Sequence, residues 1–221
     1  CYDPLNRAVK TVQNPTVANP CVTYTPGTDA DKDITTQIVY DDVGNVIAVI
    51  TTPSGGPNST DRITRTYYDA LNRPMVVIQN LSGQTIENPT PPTYSPAFPD
   101  QNIGAQTFYD AAGRAYETVD LTTGRADWTC YDDTSRVTRT VVNATVADPC
   151  AAGLTHTGNP DQNLITEYIY DSAGRQIAVI APDGVITRPY YDDANRRIAA
   201  TTNLVGQAIT VNTPPAYNPV F

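Results

Sequence analysis

Short apolar runs separated by clusters of turn-forming residues recur along the whole chain. Residues 165–196 show this most clearly: three apolar runs are joined by a turn beginning Tyr-Asp and a Pro-Asp-Gly turn, and the last run ends in another Tyr-Asp. β-Branched and aromatic residues fill the runs, and turn formers follow every eight to ten residues. This pattern predicts an all-β chain of tandem antiparallel hairpins.

The alternation within single runs does not predict which face of the sheet is buried. In the run 165–170 one face carries Ile165, Glu167 and Ile169, and the other carries Thr166, Tyr168 and Tyr170. Both faces are half apolar, so the side-chain period of two leaves the inward direction open.

The Tyr-Asp dipeptide occurs seven times, and we number these Tyr-Asp turns 1 to 7 in chain order. Asp favours the start of a turn because its carboxylate accepts hydrogen bonds from backbone N–H groups two or three residues later. The recurrence predicts a repeat protein in which these residues are scaffold. The seven dipeptides are Tyr2-Asp3, Tyr40-Asp41, Tyr68-Asp69, Tyr109-Asp110, Tyr131-Asp132, Tyr170-Asp171 and Tyr191-Asp192.

Two further positions of the turn also recur. Three residues after the Asp the chain has Gly or Asn in six turns and Ser135 in the other, which predicts a left-handed backbone there. The next residue is Arg in six turns and Asn45 in turn 2. Each Arg is placed to pair with the Asp of its own turn or of a neighbouring hairpin. An exposed pair contributes only about 0–1 kcal/mol, so we expect the turn geometry to matter more than the charge.

The motif Tyr-Asp-x-x-[Gly/Asn]-Arg, with a strand on either side, resembles the YD repeat of the RHS family. That family includes bacterial Rhs toxins, wall-associated proteins and the teneurins. The resemblance implies a long β-sheet of successive hairpins, extended or spiralling as a β-solenoid or shell. In the bacterial toxins the shell encloses a toxic domain, and in the teneurins it is part of a cell-surface adhesion module. The motif that closes the RHS core is absent, so neither encapsulation nor self-cleavage is carried over.

A longer repeat is superimposed on the hairpins. Residues 1–21 match 130–150, and residues 80–98 match 203–221. Four hairpins therefore form a first super-repeat, residues 1–129, and three hairpins form a second, incomplete one, residues 130–221. Such self-similarity predicts a stacked architecture in which each hairpin contacts its neighbours. We expect the chain to be a mature product or part of a longer polypeptide.

The four cysteines follow the same duplication. Cys1 and Cys21 are twenty residues apart, as are Cys130 and Cys150. Two equivalent closed loops favour the pairs Cys1–Cys21 and Cys130–Cys150 over the two crossed pairings. Disulfides of this kind persist outside reducing compartments, which predicts an extracellular or cell-surface location. The alternative of a lipid-modified Cys1 is disfavoured by its repeat counterpart Cys130.

Charge and composition narrow the choice of partners. The formal net charge is −9 with a pI near 4.4, which argues against nucleic acid and anionic membrane surfaces. No run of apolar residues is long enough to insert in a bilayer. The single His156 lies in a loop, and no nucleophile elbow, phosphate loop or dinucleotide motif occurs. We therefore expect no enzyme and no cofactor.

Calcium is the one metal that the sequence hints at. Asp29, Asp31 and Asp33 alternate like the start of a calcium loop, but the Gly and Glu that complete an EF-hand are replaced by Ile34 and Tyr40. Asn159, Asp161 and Asn163 occupy the equivalent place in the second super-repeat. The plainer interpretation is that these residues cap loop turns before a strand.

Three sequons are candidate glycosylation sites, at Asn58, Asn80 and Asn143. Thr/Pro-rich loops add a compositional hint of O-linked sugar, and ordinary polar loops are the alternative.

These observations lead to two functional hypotheses. The first is a non-enzymatic, secreted structural protein that self-associates head to tail into a fibre or surface layer and carries covalent glycans, because open sheet edges template further pairing. The second is a fragment of an RHS- or teneurin-like shell that binds a partner protein or a carbohydrate, or encloses a toxin.

Overall fold

The computed structural model describes residues 1–22, 32–52, 61–151, 153–154, 160–205 and 207–215. These residues form thirteen β-strands and no helix. The all-β class predicted from the sequence is confirmed. The strands are β1 (Lys10–Gln13), β2 (Ile34–Tyr40), β3 (Val46–Thr52), β4 (Arg62–Tyr68), β5 (Pro74–Gln79), β6 (Ile103–Tyr109), β7 (Ala115–Asp120), β8 (Ala126–Tyr131), β9 (Val137–Val142), β10 (Leu164–Tyr170), β11 (Gln176–Ile180), β12 (Ile186–Tyr191) and β13 (Arg197–Thr202).

The chain divides into two compact units. Unit 1 comprises Cys1–Phe108 with Val119–Gly124, and unit 2 comprises Tyr109–Thr118 with Arg125–Phe221. In unit 1, β1 to β6 pair antiparallel in chain order. In unit 2, β8 to β13 do the same. The tandem antiparallel hairpins are confirmed, whereas the sequence division at residues 129 and 130 stays a prediction.

One face of the sheet in unit 1 is buried under a long loop, and we call it the covered face. The register puts Arg65 opposite Ile78 and Tyr67 opposite Val76, so these four side chains share that face. Leu81, at the start of the loop after β5, joins Tyr67, Val76 and Ile78 in a buried cluster. The hydrophobic free energy of unit 1 therefore depends on the loop as well as on the strands.

Unit 2 has a covered face of the same construction. Its buried side chains are Cys130, Val141, Ile165, Ala178 and Tyr190. Because Ile165 pairs with Val141, the face carrying Ile165, Glu167 and Ile169 is the covered one. The structure thus answers the question that the half-apolar run 165–170 left open.

Gly104 marks a close approach of two strands in unit 1. It lies opposite Ile78, which is fully buried. A Cβ atom at position 104 would lie 2.5 Å from Ile78 Cδ1, 3.2 Å from Leu121 Cδ1 and 3.3 Å from the Val77 carbonyl oxygen. Only glycine fits there without displacing the cluster.

We predict that Gly104→Ala destabilises the chain by about 1–3 kcal/mol, since the added methyl overpacks a filled core. Urea unfolding followed by circular dichroism measures the change. Ala105→Ser, at an exposed position of the same strand, is the control and should change the unfolding free energy by less than about 0.5 kcal/mol. An unfolding midpoint of Gly104→Ala equal to that of the control would contradict the prediction.

Candidate functional site: the ladder of Tyr-Asp turns

Each Tyr-Asp turn is organised by the carboxylate of its Asp. In turn 3 the backbone N–H of Asn72 donates to Asp69 O at 3.0 Å, and that of Asp69 donates to Arg73 O at 2.9 Å. Asp69 Oδ1 accepts from the backbone N–H groups of Leu71 and Arg73, both at 2.9 Å. The other six turns repeat the two backbone bonds. The carboxylate therefore satisfies the N–H groups that reversal of the chain leaves unpaired.

The residue three places after each Asp has a positive φ in all seven turns. The values run from 60° at Asn6 and Asn195 to 96° at Gly44. Ser135, the residue that departs from the Gly/Asn pattern, adopts φ 66°. Its hydroxyl oxygen accepts a hydrogen bond from Arg114 Nη1 at 3.1 Å, which compensates part of the strain of a left-handed serine.

The turn arginines pair with the Asp of their own turn. The Arg Nε lies 2.6–2.8 Å from Asp Oδ2 in six turns. In turn 2, Asn45 Nδ2 takes that place and donates to Asp41 Oδ2 at 2.8 Å. This pairing leaves the rest of the guanidinium group directed at the next turn, where Arg175 Nη1 donates to Asn195 Oδ1 at 2.8 Å.

Adjacent turns within a unit are joined by what we call the inter-turn lock. The Tyr hydroxyl of one turn donates, at 2.9–3.0 Å, to the carbonyl of the residue that follows the Arg or Asn45 of the preceding turn. Where the preceding turn has Arg, the guanidinium carbon lies 4.4–5.3 Å from the centre of the same Tyr ring. The hydroxyl bonds are Tyr40 to Ala8, Tyr68 to Val46, Tyr131 to Ala115, Tyr170 to Val137 and Tyr191 to Gln176.

The lock explains why Tyr and Arg recur together with Asp. The ring provides a face for a cation and the hydroxyl reaches a strand carbonyl, which Phe could not do. The sequence predicted the pairing of Arg with Asp, but it did not predict the link between successive turns. The signal was present in the constant Tyr, which a turn alone does not require.

In turns 1, 3, 5 and 7 the residue before the Tyr-Asp dipeptide fastens a covering loop, in one of two ways. The structure contains disulfides Cys1–Cys21 and Cys130–Cys150, each with a Cα–Cα distance of 5.5 Å. At the same position turns 3 and 7 have a buried Tyr, and each hydroxyl is bound to a loop glutamine. Tyr67 accepts from Gln84 Nε2 at 2.7 Å, and Tyr190 donates to Gln207 Oε1 at 3.0 Å.

Two buried arginines strengthen the second kind of loop, and sequence reasoning missed them. Arg188 is 1% exposed and donates to the carbonyls of Ile177, Pro189 and Val211. Its counterpart Arg65 donates to the carbonyls of Ile47 and Thr66. Among the residues that the structure describes, neither has a carboxylate partner, so backbone dipoles and the rings of Tyr190 and Tyr67 balance the two charges.

The candidate calcium residues that the structure describes serve as loop clamps. Asp33 and Asn163 have positive φ and donate a backbone N–H to the carbonyls of Asn14 and Asn143. The two Asp33 carboxylate oxygens accept from the amide and the hydroxyl of Thr16. In the described ranges no group of three or more His, Cys, Asp or Glu could hold a metal. Asp29, Asp31, Asn159 and His156 lie outside the described residues.

Two of the three sequons lie at clamps of this kind, because the carbonyls of Asn80 and Asn143 accept the backbone N–H groups of Asn102 and Asn163. Asn80 and Asn143 have φ of 51° and 52° and donate from Nδ2 to the carbonyls of Asp100 and Asp161. Asn58 lies outside the described residues, so glycosylation stays a prediction at all three. No helix with the length and hydropathy needed to cross a membrane occurs in the described parts of the chain.

The turn geometry holds the pKa of the Asp carboxyls below its usual range. In six turns the main cause is the hydrogen bond from the backbone N–H of the Arg four residues later, as at Asp132. At Asp41 partial burial by itself raises the pKa, but the bonds from Asn45 outweigh it. All seven Asp carboxyls therefore remain ionised near neutral pH and accept the hydrogen bonds of their turns.

We predict that Asn45→Arg stabilises the chain by about 0.5–1 kcal/mol, because it completes the lock between turns 2 and 3 with a guanidinium over Tyr68. The urea midpoint measures the gain. Asn45→Lys, whose ammonium lacks the planar fork, is the matched control and should gain less. Equal midpoints for the Arg and Lys variants would show that stacking adds nothing.

We predict that the stability of the chain is nearly constant from pH 7 to 5 and falls below about pH 4. The folded carboxyls have lower pKa values than the unfolded ones, so their contribution is complete above the unfolded pKa and is lost as pH falls toward the folded pKa. Urea midpoints across this range test it. Asp132→Asn should reduce the loss of unfolding free energy between pH 5 and acid pH. The control Asp133→Asn, a substitution at the next residue, should not. An equal dependence on pH in both variants would contradict the assignment.

Comparisons with known proteins place the chain in no family. No family model matches it, and no curated protein does. It is similar to crystal structures described as TcdB2-TccC3 without its hypervariable C-terminal region, TcdB2-TccC3-TEV and TcdB2-TccC3-Cdc42, with identities of 16%, 16% and 17% and TM-scores of 0.27, 0.24 and 0.21. Each alignment covers 94% of this chain but only 14% of the other. Alignments at these TM-scores carry no argument about function.

Proposed function

We propose that this chain is a non-enzymatic, secreted structural repeat segment that builds an extracellular fibre or surface layer by continuing its sheet from hairpin to hairpin. The inter-turn lock is the observation that carries the proposal. The hydroxyl bond recurs at five junctions between successive turns, and the guanidinium joins it at the four where the preceding turn has Arg. A device that adds one hairpin to another suits an array without a fixed number of members.

Turn 1 of unit 1 and turn 7 of unit 2 each carry one half of a lock that no other described turn completes. Tyr2 of turn 1 is 70% exposed, whereas the Tyr residues of the other turns are half-buried. The Arg196 side chain of turn 7 is 79% exposed, against 27–36% for the other turn arginines. The exposed tyrosine of turn 1 and the exposed arginine of turn 7 support head-to-tail continuation, either by another copy or by further hairpins of one polypeptide.

The chemistry of the repeated residues supports a structural role over catalysis. The turn carboxylates are committed to backbone N–H groups and to arginine, and their lowered pKa makes them poor proton donors near neutral pH. The disulfides support secretion, since such bonds persist in oxidising compartments. Glycans on Asn58, Asn80 and Asn143 belong to the same proposal.

The second candidate is a segment of an RHS-like shell that binds a partner protein or a carbohydrate, or encloses a toxin. The feature that favours it is the motif Tyr-Asp-x-x-[Gly/Asn]-Arg itself, which recurs along the chain and resembles the YD repeat. A shell segment would be one part of a much longer polypeptide, and its isolated hairpins would not polymerise.

We predict that the purified chain forms polymers with a regular axial repeat at micromolar concentration, seen by negative-stain electron microscopy and analytical ultracentrifugation. Tyr2→Ala and Arg196→Ala should each stop growth, because each removes one half of the lock. A mixture of the two variants should form dimers, since one complete lock remains between them. A lone 23.9 kDa monomer in all samples would overturn the fibre and favour the shell segment.

A further inference from the structure

We propose that the edge strand β13 is the docking site for a β-hairpin like the fourth one of this chain, residues 103–120. The incoming hairpin adds antiparallel to β13 and puts its Tyr-Asp tyrosine on Arg196. This inference rests on the proposed function, in the form in which further hairpins of one polypeptide continue the sheet, and it names the edge, the kind of hairpin and the register.

The hairpin of β12 and β13 is the counterpart of the hairpin of β4 and β5. Each has a buried Arg followed two residues later by a buried Tyr, Arg188 and Tyr190 in one and Arg65 and Tyr67 in the other. In each the Tyr hydroxyl is bound to a glutamine of the covering loop. What lies beside β5 is therefore the template for what fits beside β13.

In unit 1 the outer edge of β5 is paired with β6. Val76 lies opposite Gln106, Val77 opposite Ala105, Ile78 opposite Gly104 and Gln79 opposite Ile103. The Tyr-Asp motifs of turns 3 and 7 align β5 with β13. The same register at β13 would put Gln106 opposite Ala199, Ala105 opposite Ala200, Gly104 opposite Thr201 and Ile103 opposite Thr202.

The corresponding edge of unit 2 is open in the part of the chain that the structure describes. Only β12 pairs with β13 there. Ile198 is 59% exposed, whereas its counterpart Met75 is partly buried against the core cluster of unit 1. An unpaired strand with an exposed apolar side chain is a ready template for β-augmentation.

The side chains of β13 also leave room for the incoming hairpin. Glycine is required opposite Ile78, because a Cβ atom there would lie 2.5 Å from Ile78 Cδ1. The residue at this place on β13 is Thr201, which has a shorter side chain. A hairpin carrying Gly104 therefore meets no clash at β13.

The lock favours the same partner. Arg196 pairs with Asp192 at 2.8 Å, as in the other turns, yet no tyrosine hydroxyl of the described residues lies on the carbonyl of Arg197. That carbonyl is equivalent to Gln176 O, the acceptor of Tyr191. Residues 103–120 supply Tyr109 for it.

The test is to titrate a synthetic peptide of residues 102–120 into the full chain, at a concentration where sedimentation shows monomer. Hydrogen exchange read by mass spectrometry reports the site. We expect exchange in residues 197–202 to slow at least tenfold at saturation, while β9, inside the sheet, is unchanged. Slowing elsewhere only, or residues 197–202 already protected in the free chain, would overturn the docking site.

Two substitutions test the lock within this complex. Tyr109→Ala in the peptide and Arg196→Ala in the chain should each raise the apparent Kd about fivefold to tenfold. Combined, they should raise it little more than either alone, since both remove the same contact. Independent, multiplicative effects would overturn the assignment of Tyr109 to Arg196.

The outcome is separable from that of the proposed function. Peptide protection of residues 197–202 without polymers would leave the docking site standing and sink the fibre. Polymers whose growth does not compete with the peptide would sink the docking site alone.

Discussion

The hydrogen bonds between the Asp carboxylate and the backbone of its own turn are the constraint on which the rest of the structure depends. One oxygen of Asp69 holds the N–H groups of Leu71 and Arg73, and the other holds the guanidinium of Arg73. The carboxylate therefore closes the turn and also orients the arginine. Because the Arg is pinned through Nε, its flat face and terminal nitrogens remain directed toward the neighbouring turn.

Because the arginine of each turn is oriented toward the next turn, neighbouring hairpins stabilise one another. A Tyr ring and its hydroxyl complete a contact that begins with the Asp of the preceding turn, as Tyr170 does with Arg136 and Val137. Each added hairpin thus stabilises the one before it. The backbone pairing alone would permit the strands to slip, whereas a tyrosine hydroxyl on one particular carbonyl fixes the register.

The fold must also bury one face of the sheet in each unit. Long loops cover that face in the described part of the chain. Two fasteners occupy the position before the Tyr-Asp dipeptide: a disulfide at Cys130 and a glutamine bond at Tyr190. A disulfide stabilises by restricting the unfolded chain, by about 3 kcal/mol for a loop of this length. The glutamine bond contributes less by itself, and buried Arg188 supplements it by holding the loop carbonyl of Val211.

The sequence was sufficient to predict the structure of each turn, because the residues that form a turn lie close together in the chain and recur seven times. The positions of the turns, the left-handed residues and the hairpin architecture all follow from residues within six places of one another, so the motif was sufficient to predict them. Other features depend on contacts between residues that lie far apart in the chain. These features are the inter-turn lock, the burial of the face that carries Ile165, the bonds between loop glutamines and buried tyrosines, and the burial of Arg65 and Arg188. Those features depend on which strands pair and where the loops fold back, and only the tertiary structure decides that.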